Sequence, residues 1–396
     1  MRILFLSFYY TPDLCAGSFR AAALIKALQE QVPGGSHIDV VTTMPNRYSS
    51  YNAQAPEFEE GAGLSVHRLL LPAHKSGMRD QSRAFFAYAR MAHKHVKGKN
   101  YDLVFATSSR LMTAVLGAYL ARRQKLPLYL DIRDIFVDTI QDILPRRLAH
   151  PLGYFFSIME RYAVGCAAKV NLVSRGFEGY FSQRYPRQSF SFFPNGIDDE
   201  FISPNMSPAA KEGGAKPPVS VLYAGNLGEG QGLHSILPGL AKAMSGQVNF
   251  TIIGDGGRKP QLQQALDEAG VDNVSLKSPV NREELIAYYQ RADILFLHLN
   301  DHAAFQKVLP SKIFEYAATG KPIWAGVAGY PASFISEEVE NAQVFSPCDV
   351  SAAQQAFAKL RMQTICRDNF VRKYERRTIM QELATDIIAV GQGGSS

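Results

Sequence analysis

Lys307-Val308-Leu309-Pro310-Ser311-Lys312-Ile313-Phe314-Glu315-Tyr316-Ala317-Ala318-Thr319-Gly320-Lys321-Pro322 reads as one short helix with both ends marked. Pro310 suits a first helical position, where a missing N–H leaves no bond unmade, and Gly320 before Lys321-Pro322 supplies the stop. The spacing predicts a helix from near Leu309, its free amides and positive dipole end turned toward whatever precedes it, a ready place for phosphate. Ser311 and Glu315 stand four apart and Lys312 and Glu315 three apart, so a hydroxyl, an ammonium and a carboxylate share one side. The first two suit phosphate; the carboxylate suits two ribose hydroxyls one turn along. That set fits a nucleotide-sugar. The same spacing also fits a solvated Lys312–Glu315 pair worth about 0.2–0.5 kcal/mol.

Pro310-Ser311-Lys312-Ile313-Phe314-Glu315-Tyr316 followed by Gly320-Lys321-Pro322 resembles the donor-binding signature of family-four glycosyltransferases. The resemblance implies an α/β chain of the GT-B architecture, two Rossmann-like domains facing a central cleft, and a retaining, metal-independent enzyme with no cofactor. The family's two glutamates, separated by seven residues, are represented here by Glu315 alone, because Lys307 stands where the first would be. An ammonium at Lys307 fits an acidic or N-acetylated donor sugar or the β-phosphate; it equally fits lost activity.

The 396 residues suffice for two domains, and 46% hydrophobic with 20% charged residues is ordinary for a globular enzyme. No apolar run approaches the roughly 20 residues of a membrane helix. Thr11-Pro12-Asp13 interrupts the apolar start before any signal-peptide cleavage site. Cys15, Cys166, Cys348 and Cys366 lack the paired spacing of a zinc site or a disulfide framework, which points to a reducing cytosol. The net charge of +6 arises in the first half, where 24 Lys/Arg face 17 Asp/Glu over residues 1–200. Arg68, Lys75, Arg79, Arg83, Arg90, Lys94, Lys97 and Lys99 are opposed by Asp80 alone and interleaved with Phe85, Phe86, Tyr88 and Met91. Such a segment suits an anionic membrane surface or a solvated face. Neither a zinc-finger spacing nor an RNA-recognition motif accompanies it, so nucleic acid is not expected.

Along the chain, Ile3 to Tyr10 reads as a buried strand, Thr11 to Ser18 as a loop carrying Gly17, and Phe19 to Leu28 as a helix with Arg20 in its first turn. Short apolar runs alternating with helical segments continue this βαβ pattern. Leu130 leads into Asp131-Ile132-Arg133-Asp134, charged residues at the carboxyl end of a strand, where ligands bind in open parallel sheets. Asp131 and Asp134 are therefore candidates to accept an acceptor hydroxyl, with Arg133 orienting one of them; an ion-pair cluster centred on Arg133 is the other reading. Pro194-Asn195-Gly196 with Asp198 resembles the family's interdomain junction, and the Pro- and Gly-rich Ser203 to Pro218 is a linker by composition.

The pattern restarts with a strand at Val219 to Tyr223. The loop Ala224-Gly225-Asn226-Leu227-Gly228-Glu229-Gly230-Gln231-Gly232-Leu233 then precedes a helix from near His234. Its glycines let backbone amides turn toward a phosphate. The loop resembles the family's diphosphate loop without its usual basic residue, which places donor contacts at Asn226, Gly228, Gln231 and Gly232. Arg258 and Lys259, after the strand ending at Ile253, match the family's next basic motif and would stabilise the departing diphosphate in a metal's stead. By the same resemblance Val280 would touch the nucleobase, and the helix from Arg367 to Val390 would cross back to the first domain.

The expected organisation is an acceptor domain over 1–199, a nucleotide-sugar donor domain over 200–364 and a crossing helix over 365–396. The resemblance implies a transferase moving a sugar from a UDP-sugar to a lipid-linked saccharide acceptor in bacterial O-antigen or capsule assembly, similar to fucosaminyl transferases, at the inner face of the cytoplasmic membrane. Its donor contacts would include Gly17, Pro310, Ser311 and Lys312, its acceptor contacts Arg20 and Arg133. Asp131, Asp134, Arg258, Lys259, Lys307 and Glu315 would do the chemistry, and no metal is expected. A nucleotide-sugar epimerase and a silent nucleotide-sugar-binding subunit are the alternatives.

Overall fold

A computed structural model describes residues 1–45, 54–72, 78–108, 111–138, 146–202 and 218–393. Lys75 and the linker residues 203–217 lie outside these, as does the side chain of Arg79. The chain divides into two units, residues 1–195 with 377–396, and residues 196–376.

The first unit holds β1 (Arg2–Leu6), α1 (Ala16–Gln31), β2 (His37–Thr43), β3 (Phe58–Gly61), β4 (Leu64–Leu69), α2 (Met78–Val96), β5 (Leu103–Thr107), α3 (Leu111–Gln124) and β6 (Leu128–Ile132). It continues through α4 (Arg146–Cys166), β7 (Lys169–Leu172), α5 (Glu178–Arg184) and β8 (Phe190–Ser191). The sheet order is β3-β4-β2-β1-β5-β6-β7-β8, parallel throughout except for the β3–β4 pair. Strands buried on both faces read as unbroken apolar runs, and Ile3-Leu4-Phe5-Leu6 is fully buried. The first strand stops at Leu6, short of the expected Tyr10. The Ser7 hydroxyl donates to the Tyr9 carbonyl at 2.6 Å, turning the chain out of the sheet. Gly17, expected in a loop, lies in the first turn of α1, because the chain enters that helix from an extended Cys15.

The second unit repeats the scheme with β9 (Val219–Asn226), α6 (Leu233–Ala243), β10 (Val248–Asp255), α7 (Lys259–Ala269), β11 (Val274–Lys277), α8 (Arg282–Arg291) and β12 (Ile294–His298). It ends in α9 (Lys312–Ala318), β13 (Ile323–Gly326), α10 (Tyr330–Glu338), β14 (Ala342–Phe345), α11 (Val350–Lys359) and α12 (Asp368–Tyr374). Its sheet runs β11-β10-β9-β12-β13-β14, all parallel. Val221, Phe250, Phe296 and Trp324 fill the core between this sheet and α6 and α11. In both sheets the strand order reverses beside the first strand of the unit, between β1 and β5 and between β9 and β12. Ligands of open α/β sheets bind outside the carboxyl ends of strands at that reversal.

The expected terminal helix from Arg367 to Val390 is two helices, α12 and α13 (Arg376–Gly393), broken at an extended Glu375. Glu375 bridges Ile197, with Ile197 donating to the Tyr374 carbonyl at 2.7 Å and Arg376 to the Ile197 carbonyl at 2.8 Å. The unit boundaries thus fall after Asn195 and Arg376 rather than after residues 199 and 364. Residues 365–376 stay with the second unit because Phe370 and Tyr374 pack on Phe314 and Phe334. Arg367 adds hydrogen bonds to the carbonyls of Ala317, Lys321 and Glu340. Among the described residues no helix is long and apolar enough to cross a membrane.

Candidate functional site

The reversal point of the second sheet lies between the segments that leave β9 and β12. The first is the glycine-rich loop and the second runs from Leu299 into α9, so two stretches far apart in sequence meet at one sheet edge.

Helix α9 begins at Lys312, with Ser311 as its cap, later than the expected Leu309. Proline disfavours the helical region at the residue before it, which works against a start at Leu309. The first turn is tight instead, with Ile313 donating to the Pro310 carbonyl at 3.1 Å and Phe314 to Ser311 at 3.2 Å. Behind it, the buried Phe314 and Tyr316 anchor the helix, and the Tyr316 hydroxyl accepts from the Ala224 amide at 3.2 Å. On the site side the Glu315 carboxylate accepts from the Tyr289 hydroxyl at 2.9 Å through Oε2. Oε1 accepts from no described residue. Burial and Glu315 together push the Tyr289 phenol far above its ordinary range.

Lys312 crosses the carboxyl end of β9. A Cβ at Gly225 would overlap its Cε and Nζ, so the strand needs glycine there for the side chain to pass. Burial lowers the ammonium's pKa, with the nearby Glu315 opposing the shift. Among the described residues Nζ makes neither a hydrogen bond nor an ion pair. A half-buried cation that makes neither a hydrogen bond nor an ion pair among the described residues suits an anion.

The glycine loop is held from within. Gln231 Oε1 accepts from Asn226 Nδ2 at 2.8 Å and from the Gly228 amide at 3.2 Å, so these three residues hold the loop's shape. Gly232 takes the left-handed conformation, φ +58°, and a Cβ at Gly230 would strike the Phe305 ring. His298 fixes the loop's far end. Its Nδ1–H donates to the Gln231 carbonyl at 2.7 Å while Nε2 accepts from the Cys348 amide at 3.0 Å. Burial pushes this imidazole down to about 4, consistent with a neutral ring in those roles.

Arg258 does not stand as a spare cation. Its guanidinium pairs with Glu229 of the loop, where His302 and His234 also approach at 3.8 and 4.0 Å. Lys259 Nζ folds back to the Gly254 carbonyl at 3.2 Å. Lys307 lies in the turns after β12, three residues before Pro310, and Val280 in the loop before α8. Asp198, the junction acid, pairs with Arg376 at 2.7 Å and with Arg282.

In the first unit, Asp131 and Arg20 are corrected from contact residues to scaffold. Asp131 is 1% exposed and takes both Arg20 donors at 2.9 and 3.0 Å, plus Asn171 Nδ2 at 2.7 Å. Arg20, also 1% exposed, spends its remaining donors on the Phe193 and Pro194 carbonyls. Burial alone would raise the Asp131 pKa; the guanidinium and hydrogen bonds of Arg20 more than reverse it, and the acid is held low. The hydrogen-bonded partner of Asp131 is thus Arg20, with the charge of the neighbouring Arg133 adding to the pull. Arg133 Nη2 donates to Asn195 at 3.3 Å, while its buried Nη1 has no hydrogen-bond partner among the described residues. Asp134 is exposed at the same edge. These two remain the acceptor-side candidates. The sequence reading missed Tyr289, Glu229, His298 and Asn171; each works through a partner distant in sequence, so no local motif marks it.

Two family profiles match the chain. The one described as Glycosyl transferase 4-like domain covers residues 18–196, and the one described as Glycosyl transferases group 1 covers residues 209–377. WcaI of Escherichia coli (strain K12), named as a colanic acid biosynthesis glycosyl transferase, is 24% identical over 177 residues. That match spans 42% of this chain and 42% of WcaI, under half the length of the relative. Among solved structures, the sucrose-phosphate synthase of Thermosynechococcus elongatus is similar with a TM-score of 0.70 at 15% identity, covering 99% of this chain and 97% of that one. WaaG, titled a glycosyltransferase involved in lipopolysaccharide biosynthesis, follows with 0.63 at 15%, covering 99% and 98%. HepE of Anabaena in complex with UDP gives 0.57 at 16%, covering 99% and 98%. At these identities the structural likenesses establish the fold. With one profile on each unit and the fold shared along the whole chain, this protein belongs to the family-four glycosyltransferases of the GT-B fold.

Proposed function

We propose that the protein transfers a sugar from a UDP-sugar to a lipid-linked saccharide acceptor in bacterial surface polysaccharide assembly, without a metal and with retention of anomeric configuration. The observation that carries the donor half is the Lys312 ammonium at the reversal point of the second sheet, which makes neither a hydrogen bond nor an ion pair among the described residues, with the Glu315 carboxylate one turn further along the same helix. The ammonium takes a diphosphate oxygen and Oε1 of Glu315 takes the ribose hydroxyls. Charge that develops on the departing diphosphate is met by Lys312 and by amides of the glycine loop, preorganised by Gln231 and His298. Arg258 contributes only through the edge not held by Glu229, and Lys307 contacts the donor sugar or its β-phosphate. Asp134 and Arg133 orient the acceptor. The retaining outcome and the polysaccharide setting rest on the family, on the names of WcaI and WaaG, and on the UDP held by HepE.

The membrane-side partner is an anionic surface at the inner face of the cytoplasmic membrane. Supporting it, α2 exposes Arg83, Phe86, Arg90 and Lys94 at helical spacing; each basic residue near such a surface contributes about 1 kcal/mol. The experiment is acceptor-dependent release of UDP from a panel of UDP-sugars in EDTA, with a membrane lipid extract as acceptor. UDP release that needs the extract supports the reading. Conversion of donor to an isomer without acceptor would make the protein an epimerase, and binding without turnover a silent subunit.

A further inference from the structure

Asp39, on β2 of the first unit, is 2% exposed and is approached by imidazole nitrogens from two other elements. His67 Nε2 of β4 lies 3.5 Å from Oδ1, and His95 Nε2 of α2 lies 3.3 and 3.2 Å from Oδ1 and Oδ2. The three ligand-type atoms all fall within 4.8 Å of one another. An N–H···O bond favours about 2.9 Å, so these separations are long for hydrogen bonds. They match the edge, about 3.3 Å, of a tetrahedron whose centre is about 2.0–2.1 Å from nitrogen and oxygen ligands. Asp39 and His95 already hold a cation. Lys99 Nζ sits 3.0 Å from Oδ2 and 2.6 Å from His95 Nε2. Tyr101 donates its hydroxyl to Oδ2 at 2.5 Å, the outer hydrogen bond that orients a ligating carboxylate.

We propose that Asp39, His67 and His95 form a site for a divalent cation of the zinc class, which displaces the Lys99 ammonium. The displaced side chain has somewhere to go. Lys99 is 32% exposed and lines a cleft of about 370 Å³ with Lys97, Tyr101 and Arg123. A bound ion would tie β2, β4 and α2 together. It has no part in the donor chemistry proposed for Lys312 and Glu315, which belong to the second unit.

The test is equilibrium dialysis of the full chain, freed of metal by chelator, against zinc chloride, with thermal unfolding measured alongside. The proposal expects one equivalent bound, a raised unfolding temperature, and loss of both in the double variant His67→Gln, His95→Gln. Tyr101→Phe should weaken binding about 10- to 100-fold, and Lys99→Met should tighten it by removing the competing ammonium. Absence of zinc binding by the unaltered chain overturns the site, even if Lys99→Met binds. Undiminished binding by the double variant also overturns it, since the ion would then sit elsewhere.

Discussion

Lys312 and Glu315 carry the donor reading at the scale of single residues. A charge-assisted hydrogen bond contributes about 1.5–3 kcal/mol. Lys312→Met should therefore weaken UDP binding by about ten- to a hundredfold in calorimetric titration, at little cost in stability, because the ammonium makes no hydrogen bond or ion pair with the described residues. An unchanged dissociation constant would remove Lys312 from the site. For Glu315→Ala the readout is discrimination: the unaltered protein prefers UDP to its 2′-deoxy analogue, and the variant should bind the two alike. Arg20 and Asp131 behave oppositely, as a buried pair. Arg20→Met leaves a buried carboxylate uncompensated and should cost about 3–5 kcal/mol in urea unfolding. Since the Asp131 pKa is depressed in the fold, its contribution is present above the unfolded carboxylate range and is lost as pH falls through the folded value. Lys312 and Glu315 were legible in the sequence because helical spacing alone puts them side by side. Arg20 and Asp131 were misread because their pairing spans 111 residues, and nothing near either one announces the other.

Among the elements, α9 and the glycine loop depend on supports behind them. Phe370 of α12 packs on Phe314 of α9, so Phe370→Ala should cost about 3–5 kcal/mol and loosen UDP binding through the helix. Full stability in that variant would mean that α12 does not brace the site. His298 pins the loop in its neutral form. Its folded pKa of about 4 lies below the ordinary 6.5, so the unfolded chain takes up the proton first and stability falls as pH drops from 6.5 toward 4. His298→Gln should flatten that part of the stability profile. The strand and glycine pattern of this unit was plain in the sequence. The helix start was placed too early because Pro310 was taken as the first helical residue, whereas Pro310 and Ser311 form a tight turn ahead of Lys312. The break at Glu375 was invisible because it is made by pairing with Ile197, 178 residues earlier.

For the whole molecule, the repeat of one doubly wound scheme in two units was readable from alternating apolar runs, while the exact crossing points depended on long-range packing of Phe370 and Tyr374. The central claim is that the second unit offers a metal-free site for a uridine diphosphate sugar. Thermal unfolding in EDTA with UDP, GDP, CMP or dTDP at equal concentration tests it most directly. A ligand at a hundred times its dissociation constant stabilises the fold by about 2.7 kcal/mol. The account predicts stabilisation by UDP above the others, and its loss in Lys312→Met. No shift with any nucleotide would contradict it.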